Sequence, residues 1–259
     1  MTNIRFLRPT TTAVEMGILQ HLAELRNRVF AALLALVIGT VIGFFAAETV
    51  LLILQQPYGR EFIVLGPTSG ITAYFRVALM IGGIVAIPVI TYQILMFVLP
   101  GLTRGEKRMV LLSLPPITLL FLVGTLFTWF VLIPPAIGFL SGFQPRLFQP
   151  EWTADLYLGF VTTLLFWMGV AFETPLVFFI VALLGFVQPK TLLKNWRIAV
   201  VGAMVAAALI TPTVDPVNMF LVVAPLMGLF LLSVGLTAIA HRLYVRRSAS
   251  LAASSSLQA

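Results

Sequence analysis

Long uncharged apolar stretches, separated by short polar segments, dominate the pattern of this chain. About twenty apolar residues in a helix suffice to cross a bilayer. The stretches predict six transmembrane helices, at about residues 28–47, 71–99, 109–133, 156–186, 197–211 and 217–240. The third stretch is too long for one span, and Pro134-Pro135 is expected to break it near its end. The predicted fold class is an all-α polytopic membrane protein.

The predicted spans differ in length. The fourth, at 31 residues, would measure about 46 Å as a straight helix, more than the ~30 Å hydrocarbon core. It must therefore tilt, kink at Pro175 or project from the bilayer. The fifth would measure about 22 Å and falls short of the core.

The ends of the chain differ from the membrane region in pattern. Residues 1–27 form a cytoplasmic segment, in which Ile18, Leu22 and Leu25 recur at helical spacing up to the first span. They predict an amphipathic helix that lies on the inner membrane surface before the chain turns into the bilayer. Residues 28–240 form the membrane domain, and the Ser- and Ala-rich residues 241–259 are expected to be a disordered cytoplasmic tail.

Composition and charge agree with this class. Sixty per cent of the residues are hydrophobic and 10% are charged, and the mean hydropathy is strongly positive. With both termini in the cytoplasm, thirteen of the sixteen Lys and Arg residues lie on the cytoplasmic side. We therefore interpret the net charge of +7 as a topology signal that also attracts anionic lipid, and not as nucleic-acid binding.

The sequence gives little support for an enzymatic function. It has no cysteine and only two histidines, which lie near opposite ends of the chain. Neither a metal-ligand cluster, nor a Gly-rich phosphate loop, nor a Ser-His-Asp set has recognisable spacing. We expect no metal, no cofactor and no catalytic activity.

Glu173 is the single charged residue of the apolar run from Leu156 to Pro189. A charge inside hydrocarbon costs at least ~2.5 kcal/mol, so such residues usually face the protein interior and have a function. Pro175 also leaves the carbonyl of residue 171 without its helical donor, next to the acid. A protonated glutamate that hydrogen-bonds a neighbouring helix is an equally good interpretation.

Two further acids lie near the predicted cytoplasmic face. Glu24 shares a helix face with His21 and Arg28, and its pattern favours an intrahelical pair with Arg28. Glu106 lies in the short loop after the second span, where it would favour the positive end of the next helix dipole. From the pattern alone, both acids have ordinary structural roles.

Several motifs resemble the TatC family, the large subunit of the twin-arginine protein translocase. Residues 21–28, His-Leu-Ala-Glu-Leu-Arg-Asn-Arg, are similar to its HLxELRxR opening. Further similarities follow in family order: Pro57, residues 92–108, Phe172-Glu173-Thr174-Pro175, and Thr211-Pro212 with Asp215. Each motif is short, but their joint order covers the chain from about His21 to Arg242.

The resemblance implies a receptor and core subunit that binds twin-arginine signal peptides and organises proton-motive-force-driven export of folded proteins. The glutamates that contact the two arginines in relatives correspond to Glu24 and Glu106. Arg26, Gln93 and Phe97 would belong to the same signal-binding surface, although packing alone would explain Phe97. A carboxylate accepts the planar guanidinium fork in bidentate fashion, which lysine does not offer.

The family fold implied by the resemblance is a cup-shaped bundle of six helices in a prokaryotic cytoplasmic membrane. Glu173 would point into the cup and contact the signal or small single-span subunits of the TatA/TatB type. Those subunits would dock near Met204 and Asn218, in an assembly that is expected to be homo-oligomeric. Pro57, Pro175 and Asp215 would have structural roles.

Two other functions fit parts of the pattern. An ion-coupled multi-pass transporter with Glu173 as a proton relay would explain the intramembrane acid, but it leaves Glu24 and Glu106 without a task. A purely structural membrane scaffold predicts that all three acids can be replaced without loss.

Overall fold

The computed structural model describes residues 18–98, 104–211 and 215–256. Side chains are described at residues 20–97, 107–108, 110–211 and 215–245. The regular structure of these residues is helical, apart from one parallel β-bridge between Ile63 and Thr153. The all-α fold class is thus confirmed.

The described residues form ten α-helices and one π-helical turn. They are α1 Ile18–Gln55, α2 Ser69–Val98, α3 Arg104–Leu112, α4 Leu114–Phe127, the π-helical turn Thr128–Leu132, α5 Ile133–Gly142, α6 Ala154–Phe172, α7 Thr174–Leu183, α8 Pro189–Lys194, α9 Trp196–Ile210 and α10 Pro216–Ser256.

Five helical stretches of the described chain are long and apolar enough to cross a membrane. They are Gln20–Gln55, Ser69–Phe97, Val110–Gly142, Ala154–Leu183 and Pro216–Val245. The helix at the fifth predicted span, α9, has 15 residues. At about 22 Å it is shorter than a ~30 Å hydrocarbon core. The molecule is therefore a multi-pass membrane protein with one additional short apolar helix.

Two predicted boundaries are wrong, because nothing in the sequence stops the helices there. α1 runs from Ile18 to Gln55 without a turn near residue 28, so the predicted surface helix is the first part of α1. α10 continues past Ala240 to Ser256, where the composition predicts disorder. No Gly or Pro follows Gly235 in the chain, and alanine has the highest helix propensity of all residues.

The sequence predicts that Pro134-Pro135 breaks the helix, but α5 runs through both prolines. The π-helical turn Thr128–Leu132 precedes it, and the Ile133 N–H donates to the Thr128 carbonyl five residues earlier. This wider turn accommodates two residues that lack a backbone N–H. The helix resumes as α5 and reaches Gly142.

The fourth stretch is divided at Glu173, between α6 and α7, next to the proline at which the kink is predicted. Pro175 lies in the first turn of α7, where its missing N–H would have no intrahelical partner in any case. The Glu173 N–H donates to the Val170 carbonyl at 3.0 Å, which tightens the last turn of α6.

α1 and α2 approach so closely that small residues are required between them. A Cβ added to Gly39 would lie 2.5 Å from the Gly82 carbonyl oxygen, and one added to Gly43 would collide with the Ala78 carbonyl. Gly39, Gly43 and Ala47 repeat every fourth residue on one face of α1. Because lipid offers little hydrophobic drive for helix association, such close packing is what holds two membrane helices together.

α6 lies in the main core and packs against α4 through two glycines. Gly169 of α6 receives the ring of Phe121, and Gly124 of α4 receives the ring of Phe172. A Cβ at either glycine would lie within 2.7 Å of the facing side chain. The two rings therefore fill the space between the helices just before the break at Glu173.

Four aromatic side chains, Tyr58, Phe62, Trp152 and Tyr157, pack together where α1 ends and α6 begins; we call them the aromatic cap. The Tyr58 ring centroid lies 5.3 to 6.2 Å from the other three. The Tyr157 hydroxyl donates to the Leu54 carbonyl at 2.7 Å, and the Trp152 N–H donates to the Tyr58 hydroxyl at 3.0 Å. The cap thereby joins the loops before α2 and before α6.

Candidate functional site

Polar side chains of α1 and α2 meet at the end of the bundle opposite the aromatic cap. The group, which we call the polar patch, comprises Gln20, Ala23, Glu24, Asn27 and Arg28 of α1 with Gln93 of α2. It lines an open concavity of about 480 Å³. The α1 members lie at positions i, i+3, i+4, i+7 and i+8, so the helix places them on one face.

Arg28 lies at the centre of the polar patch. Its Nε donates to Glu24 Oε1 at 3.0 Å, and its Nη2 donates to the same oxygen. Its Nη1 donates to Gln93 Oε1 at 3.2 Å, which connects α1 to α2 across 65 positions in sequence. The intrahelical pair that the pattern favours is thus present, and it is also an interhelical link.

The Glu24–Arg28 pair is only partly exposed, with 19% of the Glu24 side chain and 22% of the Arg28 side chain accessible. Partial exclusion of water strengthens such a pair relative to a fully solvated one. Both Arg28 donors use Oε1, so Glu24 Oε2 accepts no hydrogen bond from the described residues. The carboxylate is fixed in orientation and retains an acceptor for a further cation.

A ring contact extends the polar patch. His21 stacks on Phe97, with ring centroids 4.3 Å apart and planes 20° apart. Neither His21 nor Arg28 is predicted as a site residue. Both belong to the motif at residues 21–28 and lie on the same helix face as Glu24, and this signal was sufficient to identify them.

Two predicted site residues are not brought into the polar patch by described contacts. Arg26 is exposed, and its guanidinium donates only weakly, at 3.5 Å, to Asn27 Oδ1. Glu106 lies on α3, but its side chain is outside the described residues. A common surface of Glu24 and Glu106 therefore stays a prediction.

Glu173 occupies the break between α6 and α7. Its Oε1 is buried and has no hydrogen-bond partner among the described residues. The adjacent Phe172 packs on Phe127, with ring centroids 5.3 Å apart, so the surroundings are apolar. A buried polar atom without a partner inside a membrane helix is typical of a functional position.

An apolar cavity of about 480 Å³ lies beside this break, between α7, α9 and α10. Thr174 lines it next to Glu173, and Ala203 and Ala206 line it from α9. Met204, between those two alanines in sequence, is 38% exposed on the surface of α9. We call this space the α9 cavity.

Asn218 has a different role from the partner contact that the resemblance implies. It is 2% exposed, its amide donates to Asp215 Oδ2 at 2.9 Å, and its backbone N–H donates to Asp215 Oδ1 at 2.7 Å. Asp215 therefore caps the start of α10, three residues before Asn218. Asn218 is part of this cap and offers no surface to a partner.

Pro57 lies in the turn that follows α1. The turn is closed by the Tyr58 N–H, which donates to the Gln55 carbonyl at 3.0 Å, and it leads directly into the aromatic cap. Within the described residues, no group of three His, Cys, Asp or Glu side chains could hold a metal ion.

Comparison with known proteins gives one consistent family. The family model described as "Sec-independent protein translocase protein (TatC)" matches residues 20–225. A protein of that name from Synechocystis sp. is 37% identical over 227 residues, covering 86% of this chain and 88% of its own. The chloroplastic protein of Arabidopsis thaliana is 38% identical over 225 residues, covering 84% of this chain and 65% of its own.

A solved structure agrees with the sequence comparisons. The crystal structure described as "Twin Arginine Translocase Receptor- TatC" superposes with a TM-score of 0.76 at 35% identity. It covers 85% of this chain and 99% of its own.

Proposed function

This chain belongs to the TatC family of Sec-independent protein translocase proteins, and from that membership we propose that it receives twin-arginine signal peptides. In this proposal it also organises the export of folded proteins driven by the proton motive force. As a translocase subunit, it is a transport protein rather than a classical enzyme. The observation that carries the proposal is the Glu24 carboxylate, which Arg28 holds at an open concavity.

The proposed recognition is a guanidinium exchange at Glu24. One signal arginine would bind Oε2, the acceptor that Arg28 leaves unused, or would displace Arg28 onto Gln93. A guanidinium is a planar fork that matches a carboxylate, whereas a lysine ammonium binds as a point charge. This difference would explain a requirement for arginine in the signal.

The second arginine would bind Glu106, the acid of α3. An exposed ion pair contributes only about 0–1 kcal/mol, so a single pair would discriminate poorly. Two coupled pairs, with one held by the partly exposed Glu24, would select a consecutive pair of arginines. Leu22, Leu25 and Val29 are exposed on α1 and would bind the apolar part of the signal.

The proposed membrane arrangement has six spans and both termini in the cytoplasm of a prokaryote. The Lys and Arg distribution supports this orientation. α9 would be the fifth of the six spans in chain order, and its shortness would require a locally thin bilayer. The helices would form a cup that faces the translocation partners.

The proposed partners are small single-span subunits of the TatA/TatB type and further copies of this chain. The exposed Met204 and the α9 cavity offer an apolar surface for a membrane helix. Glu173 would bind a polar group of that helix or of the inserted signal, which would give its buried oxygen a partner.

The test of signal binding is export of a folded reporter that carries a twin-arginine signal, in cells that depend on this chain. Glu24→Gln keeps the size of the side chain and removes its charge. We expect export, and cross-linking of the signal to position 93, to fall about tenfold or more, as for the loss of a charge-assisted hydrogen bond. Glu48→Gln, an exposed acid at the other end of α1, is the matched control and should leave both unchanged.

Membrane abundance must stay equal in all variants for the comparison to hold. Undiminished export and cross-linking in the Glu24→Gln, Glu106→Gln double variant would refute the signal-binding proposal. A cross-link to the far end of α1 would refute it as well.

The buried, unpartnered Glu173 also favours a second candidate, an ion-coupled transporter. This alternative predicts proton-dependent solute flux in liposomes that contain the purified chain alone. Loss of that flux in Glu173→Gln, with normal signal binding, would favour the transporter over the translocase role of Glu173.

A further inference from the structure

A second cavity, of about 700 Å³, opens near the aromatic cap between α2, α5 and α6. Ile137, Leu140 and Phe160 form its apolar walls, while Arg76 and Asp155 supply its charges. We call it the Arg76 cavity. Neither the signal-binding proposal nor the partner proposal uses it.

Arg76 is an exposed residue whose guanidinium is anchored at the wall of this cavity by one hydrogen bond. Its Nη1 donates to the Asp155 carbonyl at 2.6 Å, from α2 across to α6. It lies over Gly159, where an added Cβ would be only 2.5 Å from Nη1. The absence of a side chain at residue 159 is therefore what admits the guanidinium, and its other N–H donors make no hydrogen bond to the described residues.

Asp155 lines the same cavity, and its carboxylate has one hydrogen-bond donor among the described residues. The Thr72 hydroxyl donates to its Oδ1 at 3.1 Å. Oδ2 accepts no hydrogen bond from the described residues. The residues that line the cavity thus include one cation and one anion with unused hydrogen-bonding atoms, and the sum of the two charges is zero.

The surroundings place the cavity at the level of lipid head groups. Arg76 is seven residues, or about 10 Å, inside the start of α2. Trp152 and Tyr157 line the cavity, and these residue types concentrate at membrane interfaces. The neighbouring loop exposes Phe143 and Leu147, which are 56% and 74% accessible and suited to the same layer.

We infer that the Arg76 cavity binds one zwitterionic phospholipid with an ethanolamine head group. The lipid phosphate accepts hydrogen bonds from the Arg76 guanidinium, and its ammonium donates to Asp155 Oδ2. A head group without net charge matches this pair, whereas a phosphatidylglycerol head group carries no cation for Asp155. Phosphatidylcholine keeps the cation but has no N–H to donate. The acyl chains lie against Ile137, Leu140 and Phe160.

The test is native mass spectrometry of the purified chain with dioleoyl lipids that carry ethanolamine, choline or glycerol head groups. We expect the ethanolamine lipid to be retained as one copy, with an affinity about tenfold above the other two, the value of one charge-assisted hydrogen bond. Arg76→Gln should remove most retention of all three lipids. Asp155→Asn should equalise the ethanolamine and choline lipids.

A further variant separates lipid binding from folding. Gly159→Ala adds a methyl group that only the flexible end of Arg76 must avoid, so the fold should persist while the guanidinium is displaced. We expect the retention of the ethanolamine lipid to fall several-fold at unchanged thermal stability. Arg146→Gln, an exposed arginine in the neighbouring loop, is the matched control and should have no effect.

The inference is overturned by equal retention of the three lipids, by tighter binding of the glycerol lipid, or by full retention in both Arg76→Gln and Gly159→Ala. An equal loss in Arg146→Gln would also overturn it, because it would show non-specific charge attraction.

Discussion

The two ends of α1 are held in different ways. At the aromatic cap, rings from three chain segments pack together, one hydrogen bond joins α6 to α1, and another joins the two loops. At the polar patch, the contacts among the described residues join α1 to α2 through the partly exposed Arg28 and one stacked ring pair. The first end buries apolar area, while the second leaves acceptors and an open concavity.

This difference separates stability from recognition. Buried aromatic packing contributes several kcal/mol and tolerates little change. Partly exposed charges contribute little to stability, and they are free to exchange partners. The cap therefore fixes the position of α1, and the charged groups of the polar patch can exchange partners without loss of the fold.

Removal of a cap ring should have the largest effect. Tyr157→Ala deletes a buried ring and its hydrogen bond to Leu54, and we expect the free energy of unfolding to fall by about 3–5 kcal/mol. Thermal unfolding in detergent measures the change. Leu156→Ala, which truncates an exposed neighbour on the same helix, should change little. A similar loss in both variants would contradict the role of the cap.

A side chain that forces α1 and α2 apart should destabilise the contacts at both ends of α1. Gly82→Leu forces a side chain against Thr40, and we expect a loss of about 1–3 kcal/mol, the usual cost of overpacking. Gly228→Leu on α10, where an added Cβ meets no atom within 4 Å, is the control. Unfolding measurements that rank the control equal to Gly82→Leu would show that the close approach is unimportant.

Loss of the stacked ring pair at the polar patch should lower the free energy of unfolding by less than the changes at the cap and at Gly82. Phe97→Leu keeps an apolar side chain but removes the contact with His21, and we expect a loss of about 0.5–1.5 kcal/mol. Phe45→Leu, at an 82% exposed position on α1, is the control for loss of a ring. A cost above that of Tyr157→Ala would reverse the proposed order of the two ends.

The interhelical link at Arg28 should contribute least to stability. Arg28→Gln removes the donors to Glu24 and Gln93, and we expect a change of about 0–1 kcal/mol in unfolding. A double-mutant cycle with Gln93→Ala isolates the coupling between the two helices. A coupling of several kcal/mol would mean that the polar patch is a structural clamp.

Much of the fold follows from local sequence. Apolar run length identifies the membrane helices, and Pro175 identifies the break at Glu173, because both effects depend on neighbouring residues. The wrong boundaries at residues 28 and 240 come from changes in polarity that carry no helix-stop signal. The four-residue spacing of Gly39 and Gly43 is a local signal for a close-packed helix face.

The polar patch could be predicted only in part from the sequence. Glu24 and its neighbours share a face that the helical period gives directly. The bond from Arg28 to Gln93 joins residues 65 apart, and no local pattern specifies such a contact. The resemblance implies a partner contact at Asn218, whereas in the structure its amide and backbone N–H both donate to Asp215, three residues earlier.

The uninterrupted course of α1 has a mechanical consequence. Glu24 lies thirty residues, or roughly 45 Å, from the cap, with no kink between them. The glycine contacts fasten α1 to α2 at Gly39, Gly43 and Gly82, so a tilt of α1 about the cap would carry that part of α2 with it. A tilt of about 5° there would swing the far tip by roughly 4 Å. Such a swing would carry Glu24 towards or away from α3, and Gln93 would follow through its hydrogen bond with Arg28.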